Sequence, residues 1–179
     1  MLTDNLLSLI IWLPIAGGVI VLMTGNDKNA VLARWITLAV SIATFVISLS
    51  LYTGFNSATA VMQFTEHAEW IPAFNIYYSL GIDGISLLLV LLTTFMTIIV
   101  VISGWKVIQE KVAMYMASFL IMEGLMVGVF SALDAILFYV FWEAMLIPMY
   151  LIIGVWGGKD RVYAAIKFFP YTLAGSLLF

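Results

Sequence analysis

Five stretches of this chain, approximately 6–24, 32–53, 83–103, 113–130 and 134–153, are almost unbroken runs of apolar residues. A helix needs about 20 residues to cross the roughly 30 Å hydrocarbon core of a bilayer, and each run is close to that length. A sixth run starts near Val162 and is still apolar at Phe179. The chain is 64% hydrophobic and 9% charged, whereas soluble domains carry about 25% charged residues, so a soluble domain is excluded. The expected fold is all-α. It is a polytopic membrane helix bundle of five complete transmembrane helices and a truncated sixth (162–179), with 54–82 as an outer loop.

The residues that are missing narrow the chemistry. There is no cysteine, which excludes thiolate-held iron–sulfur clusters, disulfides and zinc–thiolate sites within this chain. The one histidine, His67, lies in a polar loop and cannot supply bis-histidine haem ligation. No cofactor is expected in this chain, and nothing points to nucleic acid. The start is apolar from Leu6, with Asp4 and no basic residue before it, so it reads as a retained first span rather than a cleaved signal. No polar flank follows the sixth run, so the sequence is expected to be the front part of a longer one.

Basic residues set the expected orientation. Lys28 and Arg34 flank the first link, Lys106 and Lys111 the third, and Lys159 and Arg161 the fifth. The loop 54–82 and the link between the fourth and fifth spans have neither Lys nor Arg. The N-terminus is therefore expected outside. In the outer loop, Phe74-Asn-Ile-Tyr-Tyr-Ser-Leu suits a short hairpin, and Trp70, Tyr77 and Tyr78 suit the interfacial belt. Ser131-Ala-Leu-Asp134 has capping-box spacing ahead of the fifth helix. Asp83 is placed to cap the third.

Three ionisable residues fall inside the spans. Glu143 lies nine residues into the fifth, roughly 14 Å from its outer edge. Glu123 lies ten residues into the fourth from the inner side, roughly 15 Å deep. The two spans are joined by a short turn, so both carboxylates are expected at one level near the midplane. Lys167 lies about five residues into the sixth, roughly 8 Å from the inner face. A carboxylate at the centre of a bilayer costs roughly 2.5–3.5 kcal/mol, and such residues usually serve a proton, an ion or a charged partner. Desolvation favours a neutral carboxyl group, and a cation within about 4–6 Å favours the charged one. Moving a cation can therefore switch the proton on or off. Pro148 and Pro170 deny hydrogen bonds to the carbonyls of Ala144 and Ile166, each beside a buried charge, and such freed carbonyls invite water. Glu143 is the primary candidate for a proton relay, Glu123 a candidate neighbouring relay, and Lys167 a candidate charge tuner. The plainer readings are a static interhelical anchor for Glu143, a helix clamp beside Gly124 and Gly128 for Glu123, and a snorkelling side chain for Lys167.

The block Phe141-Trp142-Glu143-Ala-Met-Leu-Ile-Pro148-Met-Tyr150, followed by Gly154-Val-Trp156-Gly, closely resembles the M-subunit family of bacterial proton-pumping NADH:quinone oxidoreductase, respiratory complex I. Gly81-Ile-Asp83-Gly-Ile-Ser-Leu-Leu, Ala165-Ile-Lys167-Phe-Phe-Pro170-Tyr171-Thr-Leu-Ala-Gly-Ser and Trp70-Ile-Pro are similar to the same family, so the likeness runs along the chain in order. D-type subunits of multisubunit sodium/proton antiporters share the lineage. The resemblance implies an antiporter-like fold of about fourteen helices in two inverted halves, of which residues 1–179 would be the N-terminal part. It implies that Glu143 is the fifth-helix glutamate that pairs with a seventh-helix lysine, which would lie beyond Phe179. Lys167 matches a sixth-helix lysine instead. The expected function is a proton-translocating subunit in a bacterial inner membrane, partnered by other membrane subunits of complex I and by the lipid bilayer. NADH, FMN, iron–sulfur clusters and quinone would be bound by other subunits. The alternatives are a subunit of a sodium/proton antiporter and a non-transporting scaffold.

Overall fold

A computed structural model describes residues 5–24 and 29–178. Asp4, Lys28 and Phe179, which entered the argument above, lie outside the described residues. The order of elements is α1 (Leu6–Met23), α2 (Ala30–Gly54), β1 (Gln63–Ile71), a 3-10 turn (Pro72–Phe74), β2 (Ile76–Ile82), α3 (Gly84–Val107), α4 (Val112–Ser131), α5 (Ala135–Trp156) and α6 (Arg161–Leu177). The helices match the expected spans to within a few residues. Helices α1 to α5 are each long and apolar enough to cross a membrane. Helices α1, α5 and α6 run unbroken through Pro14, Pro148 and Pro170.

Helix α4 is the hub of the bundle, packing against α1, α2, α3 and α5, with α1 its most extensive neighbour. Glycine makes this approach possible. A Cβ on Gly128 would sit 2.7 Å from the Phe141 ring of α5, and one on Gly124 would collide with the Ile11 carbonyl oxygen of α1. With no hydrophobic force between helices in lipid, close backbone approach of this kind supplies the packing energy. Helix α2 turns a column of hydroxyls inward, at Thr37, Ser41, Thr44 and Ser48. Each donates to a carbonyl of its own helix, respectively Ala33, Leu38, Val40 and Phe45. Ser48 also lies 3.0 Å from Thr94 Oγ1, joining α2 to α3.

The outer loop is an antiparallel hairpin, with pairs running from Gln63↔Ile82 to Ile71↔Ile76 and irregularities near both ends. Asn75 adopts φ 54° at its turn, a conformation asparagine tolerates. Glu66 of β1 is buried and reaches across to the start of α1. Its Oε1 accepts from the Leu7 amide at 2.7 Å and the Ser8 amide at 3.2 Å, and the Ser8 hydroxyl donates to its Oε2. The first amides of a helix lack partners within it, and a carboxylate there also suits the helix dipole. Tyr78 closes the network, its hydroxyl 2.9 Å from Ser8 Oγ and accepting from Trp12 Nε1 at 3.2 Å. Strand β2 meets the α4–α5 turn where the Leu133 amide donates to the Ser79 carbonyl.

The hairpin, the start of α1 and the α4–α5 turn therefore share one end of the bundle. At the other end Arg34 Nη2 donates to the Ile108 carbonyl at 2.8 Å, and Trp156 Nε1 donates to the Glu110 carbonyl at 3.0 Å. The third helix is capped as expected, Asp83 accepting from the Ser86 amide at 2.7 Å. The fifth differs from expectation. Asp134 itself caps α5, accepting from the amides of Ile136 and Leu137. Ser131 ends α4 and donates to the Val127 carbonyl, so no Ser131–Asp134 box forms. The aspartate already serves the orphan amides, leaving that role empty for the serine.

Two outcomes test this end of the bundle. Glu66→Ala strands the buried Leu7 amide and removes charge-assisted bonds, so a loss of about 1.5–3 kcal/mol in unfolding free energy is expected, with Glu66→Gln losing less. Faster proteolysis within 63–82 would report the loosened hairpin. The second outcome concerns pH. The Ser86 amide holds the Asp83 carboxyl below the usual aspartate range. The amides of Leu137, Tyr77 and Ile136, against a burial effect that outweighs the last two, hold Asp134 low as well. A carboxyl group lowered on folding adds stability that is complete above its unfolded value of about 3.9 and is lost as pH falls through the folded value. Amide exchange at Ser86, Ile136 and Leu137, corrected for intrinsic rate, should quicken below about pH 4, and Asp83→Asn or Asp134→Asn should flatten that dependence.

Candidate functional site

The capped start of α5 sets the depth of Glu143, and the α5–α6 pair sets its surroundings. The two helices run antiparallel after a short link, held by an edge-on contact of Tyr150 with Phe169 and by close approach of Gly154 to Ala165. Glu143 is half-buried on α5. The Ser176 hydroxyl of α6 donates to its Oε1. The same hydroxyl lies 3.0 Å from the Leu173 carbonyl oxygen. A cleft of about 510 Å³ beside this pair is lined by Phe138, Tyr139, Trp142, Thr172, Gly175 and Ser176. One turn further along α5, a second cleft of about 540 Å³ is lined only by apolar and aromatic side chains and Tyr150, with Pro170 and Leu173 among them. Glu143 thus has one neutral hydroxyl partner, Ser176, and that partner lines a cleft in the α5–α6 groove.

Glu123 occupies a different interface. It is 1% exposed, and neither carboxylate oxygen has a hydrogen-bond partner among the described residues. It lines a cavity of about 160 Å³ between α3 and α4, with Thr93, Met96, Thr97 and Val100 from α3. Both threonines spend their protons on their own helix, donating to the carbonyls of Leu89 and Thr93, so towards the cavity they offer acceptor lone pairs. An oxygen without a protein donor suits a protonated carboxyl group or water in the cavity. The carboxyls of Glu123 and Glu143 therefore point to different partners, α3 for the first and α6 for the second.

Lys167 is exposed on α6, with its ammonium 4.3 Å from the centre of the Tyr163 ring, an ordinary cation–π distance. It makes no ion pair among the described residues. Nine residues, or about 13 Å along the helix, separate it from Ser176, so this arrangement does not bring it to Glu143. His67 is exposed on β1 and stacks on Tyr77. Among the described residues no group of three acidic, histidine or cysteine side chains is arranged to hold a metal.

Sequence reasoning overlooked Ser176, Thr93 and Thr97. The α2 and α3 hydroxyls carried a readable signal, since Thr37, Ser41, Thr44 and Ser48 recur at helical spacing within an apolar run. Ser176 carried none; it is a small residue in Ala-Gly-Ser, and only the pairing of α5 with α6 makes it a partner of Glu143.

Residues 132–179, which hold α5 and α6, match the family described as NADH:quinone oxidoreductase/Mrp antiporter, transmembrane. The chain is 48% identical over 181 residues to NADH-quinone oxidoreductase subunit M of Rhodobacter capsulatus, covering 98% of this chain and 34% of that protein. It is 48% identical over 172 residues to NADH-ubiquinone oxidoreductase chain 4 of Arabidopsis thaliana, covering 96% of this chain and 34% of the relative. A structure of respiratory complex I from Thermus thermophilus with bound NADH contains a chain that superposes with a TM-score of 0.79 at 29% identity, over 96% of this chain and 33% of that one. The chain spans about a third of the length of the curated relatives it matches. Along that third, it is similar to NADH-quinone oxidoreductase subunit M and the NADH-ubiquinone oxidoreductase chain 4 proteins.

Proposed function

We propose that this chain is part of a proton-translocating membrane subunit of NADH:quinone oxidoreductase, coupling quinone reduction to proton transport through buried ionisable groups. The observation that carries the proposal is Glu143, an acidic residue midway along an apolar helix, bonded to a hydroxyl of the next helix that itself lines an open cleft. Glu143 holds and releases the transported proton. Glu123 is a second protonatable group, reached through the α3–α4 cavity rather than through Glu143. Lys167 tunes local charge at the inner side. The N-terminus faces outside, because Lys106, Lys111, Lys159 and Arg161 all lie in or beside the links at the end opposite the hairpin.

This chain does no redox chemistry. NADH, FMN, iron–sulfur clusters and quinone belong to other subunits of the complex, which are its partners together with the bilayer of a bacterial inner membrane. Each proton moved against the membrane potential requires about 2.3 kcal/mol per 100 mV. A swing of about 2 pKa units in a buried carboxyl group, at about 1.36 kcal/mol each, is of that size. The matching family model also covers Mrp antiporters, which favours a sodium/proton antiporter subunit as the second reading. The two are separated by whether transport in the intact assembly follows NADH oxidation or a sodium gradient. A scaffold that moves nothing is the third.

Glu143→Gln keeps the shape and removes the titrating proton. In the full-length subunit within its complex, assembly should be normal and proton pumping should fall to background in vesicles energised with NADH. Normal pumping by an assembled variant sinks the relay, and failure to assemble favours the scaffold. Glu123→Leu replaces an unpartnered buried carboxyl by an apolar group. It should leave the complex as stable or raise stability by about 1–3 kcal/mol, read by thermal unfolding, while lowering pumping. A variant that pumps at the parent rate would leave Glu123 a packing residue.

A further inference from the structure

We propose that Ser176 is the relay residue through which Glu143 exchanges its proton with the cleft lined by Tyr139, Trp142 and Thr172. The inference rests on Glu143 being the transported-proton site. Ser176 Oγ lies within hydrogen-bond reach of two acceptors, Glu143 Oε1 and the Leu173 carbonyl oxygen. A hydroxyl has one proton and two lone pairs, so it cannot donate fully to both. When Glu143 is ionised, the hydroxyl donates to the carboxylate. When Glu143 is protonated, its own O–H donates to Ser176 Oγ, and the Ser176 hydrogen turns to the Leu173 carbonyl. The two protonation states thus select two orientations of one hydroxyl, and each orientation leaves no donor idle.

The position of the residue gives this switch a direction. Ser176 lines the cleft directly. Tyr139 lies one turn from Glu143 on α5, and Thr172 one turn from Ser176 on α6, so each helix contributes a hydroxyl-bearing side chain to the lining of one cleft. In the transfer step the Glu143 O–H bond breaks and a new O–H bond forms at Ser176 Oγ. The original Ser176 hydrogen first turns from the Leu173 carbonyl to a water in the cleft, and then passes to that water, which becomes hydronium. One proton leaves Glu143, one enters water, and Ser176 is neutral before and after. Reversal reloads the carboxylate.

The test uses the complete subunit in its assembled complex, with Ser176→Ala and Ser176→Thr compared with the parent and with Glu143→Gln. Two quantities are read: proton pumping per NADH oxidised, and the infrared carbonyl band that Glu143→Gln abolishes. Ser176→Ala should lower the pumping rate by about ten- to a hundredfold, the rate equivalent of one charge-assisted hydrogen bond. It should also move the Glu143 carbonyl band to higher frequency, a change that a merely structural role would not produce. Ser176→Thr keeps the hydroxyl and should retain both the band position and most of the pumping. If Glu143→Gln stops pumping while Ser176→Ala matches the parent in rate and band, the role of Ser176 is overturned and that of Glu143 stands. A Ser176→Thr variant indistinguishable from Ser176→Ala would also overturn it. Normal pumping by Glu143→Gln would instead remove the reading on which this one rests.

Discussion

A polar group inside an apolar bundle has no water to fall back on, and the whole architecture follows from that constraint. Among the described residues, helical backbone groups are satisfied within the helices except where Pro14, Pro148 and Pro170 supply no donor, and irregular chain is confined to the ends. The buried hydroxyls of α2 and α3 bond to their own helices before they bond to anything else. The places where the rule bites hardest are helix termini, and there the protein uses distant residues. Glu66 serves the amides that begin α1, and Arg34 serves the carbonyl that follows α3. The outer hairpin is thus part of the bundle, because it completes a helix that could not finish its own hydrogen bonding.

Against that background, the few charged groups within the apolar helices separate by what they touch. Lys167 lies over an aromatic ring on the surface of α6, which an amphipathic side chain can do at little cost. Glu123 is enclosed and unpartnered, a condition that a carboxylate rarely survives and a carboxyl group with a proton or a water tolerates. Glu143 is half-buried and bonded to a hydroxyl that itself lines a cleft. Of the three, it alone has a hydrogen bond whose direction depends on protonation.

Much of this was legible in the sequence. Apolar run length located the helices to within a few residues, since a span needs little more than length and hydropathy. Basic residues sorted the links into two sets, and the same two sets gather at opposite ends of the bundle. Asp83 announced its cap because its amide partner is three residues away. What could not be read was every feature that depends on two distant segments meeting. Nothing within the loop ties Glu66 to the start of α1, and only strand β1 lying across α1 makes it a partner of the Leu7 and Ser8 amides. Depth along the helix put Glu123 and Glu143 at one level, but depth says nothing about azimuth, and the two face α3 and α6. The block around Glu143 pointed to the family, yet its partner Ser176 is invisible without the α5–α6 pairing.

The balance at Glu143 also explains why a single neutral hydroxyl can matter so much. A carboxylate held near the bilayer centre costs roughly 2.5–3.5 kcal/mol on insertion scales, and one hydrogen bond to a charged group contributes about 1.5–3 kcal/mol. The two magnitudes are of the same order, so one hydrogen bond offsets much of the cost of placing an anion there. A strong ion pair at the same place would fix the charge, and an apolar wall would fix its absence. A serine does neither, because it donates to the anion and accepts from the acid with the same oxygen. That symmetry suits a group whose task is to change state, and it leaves the decision to whatever charge approaches along the groove.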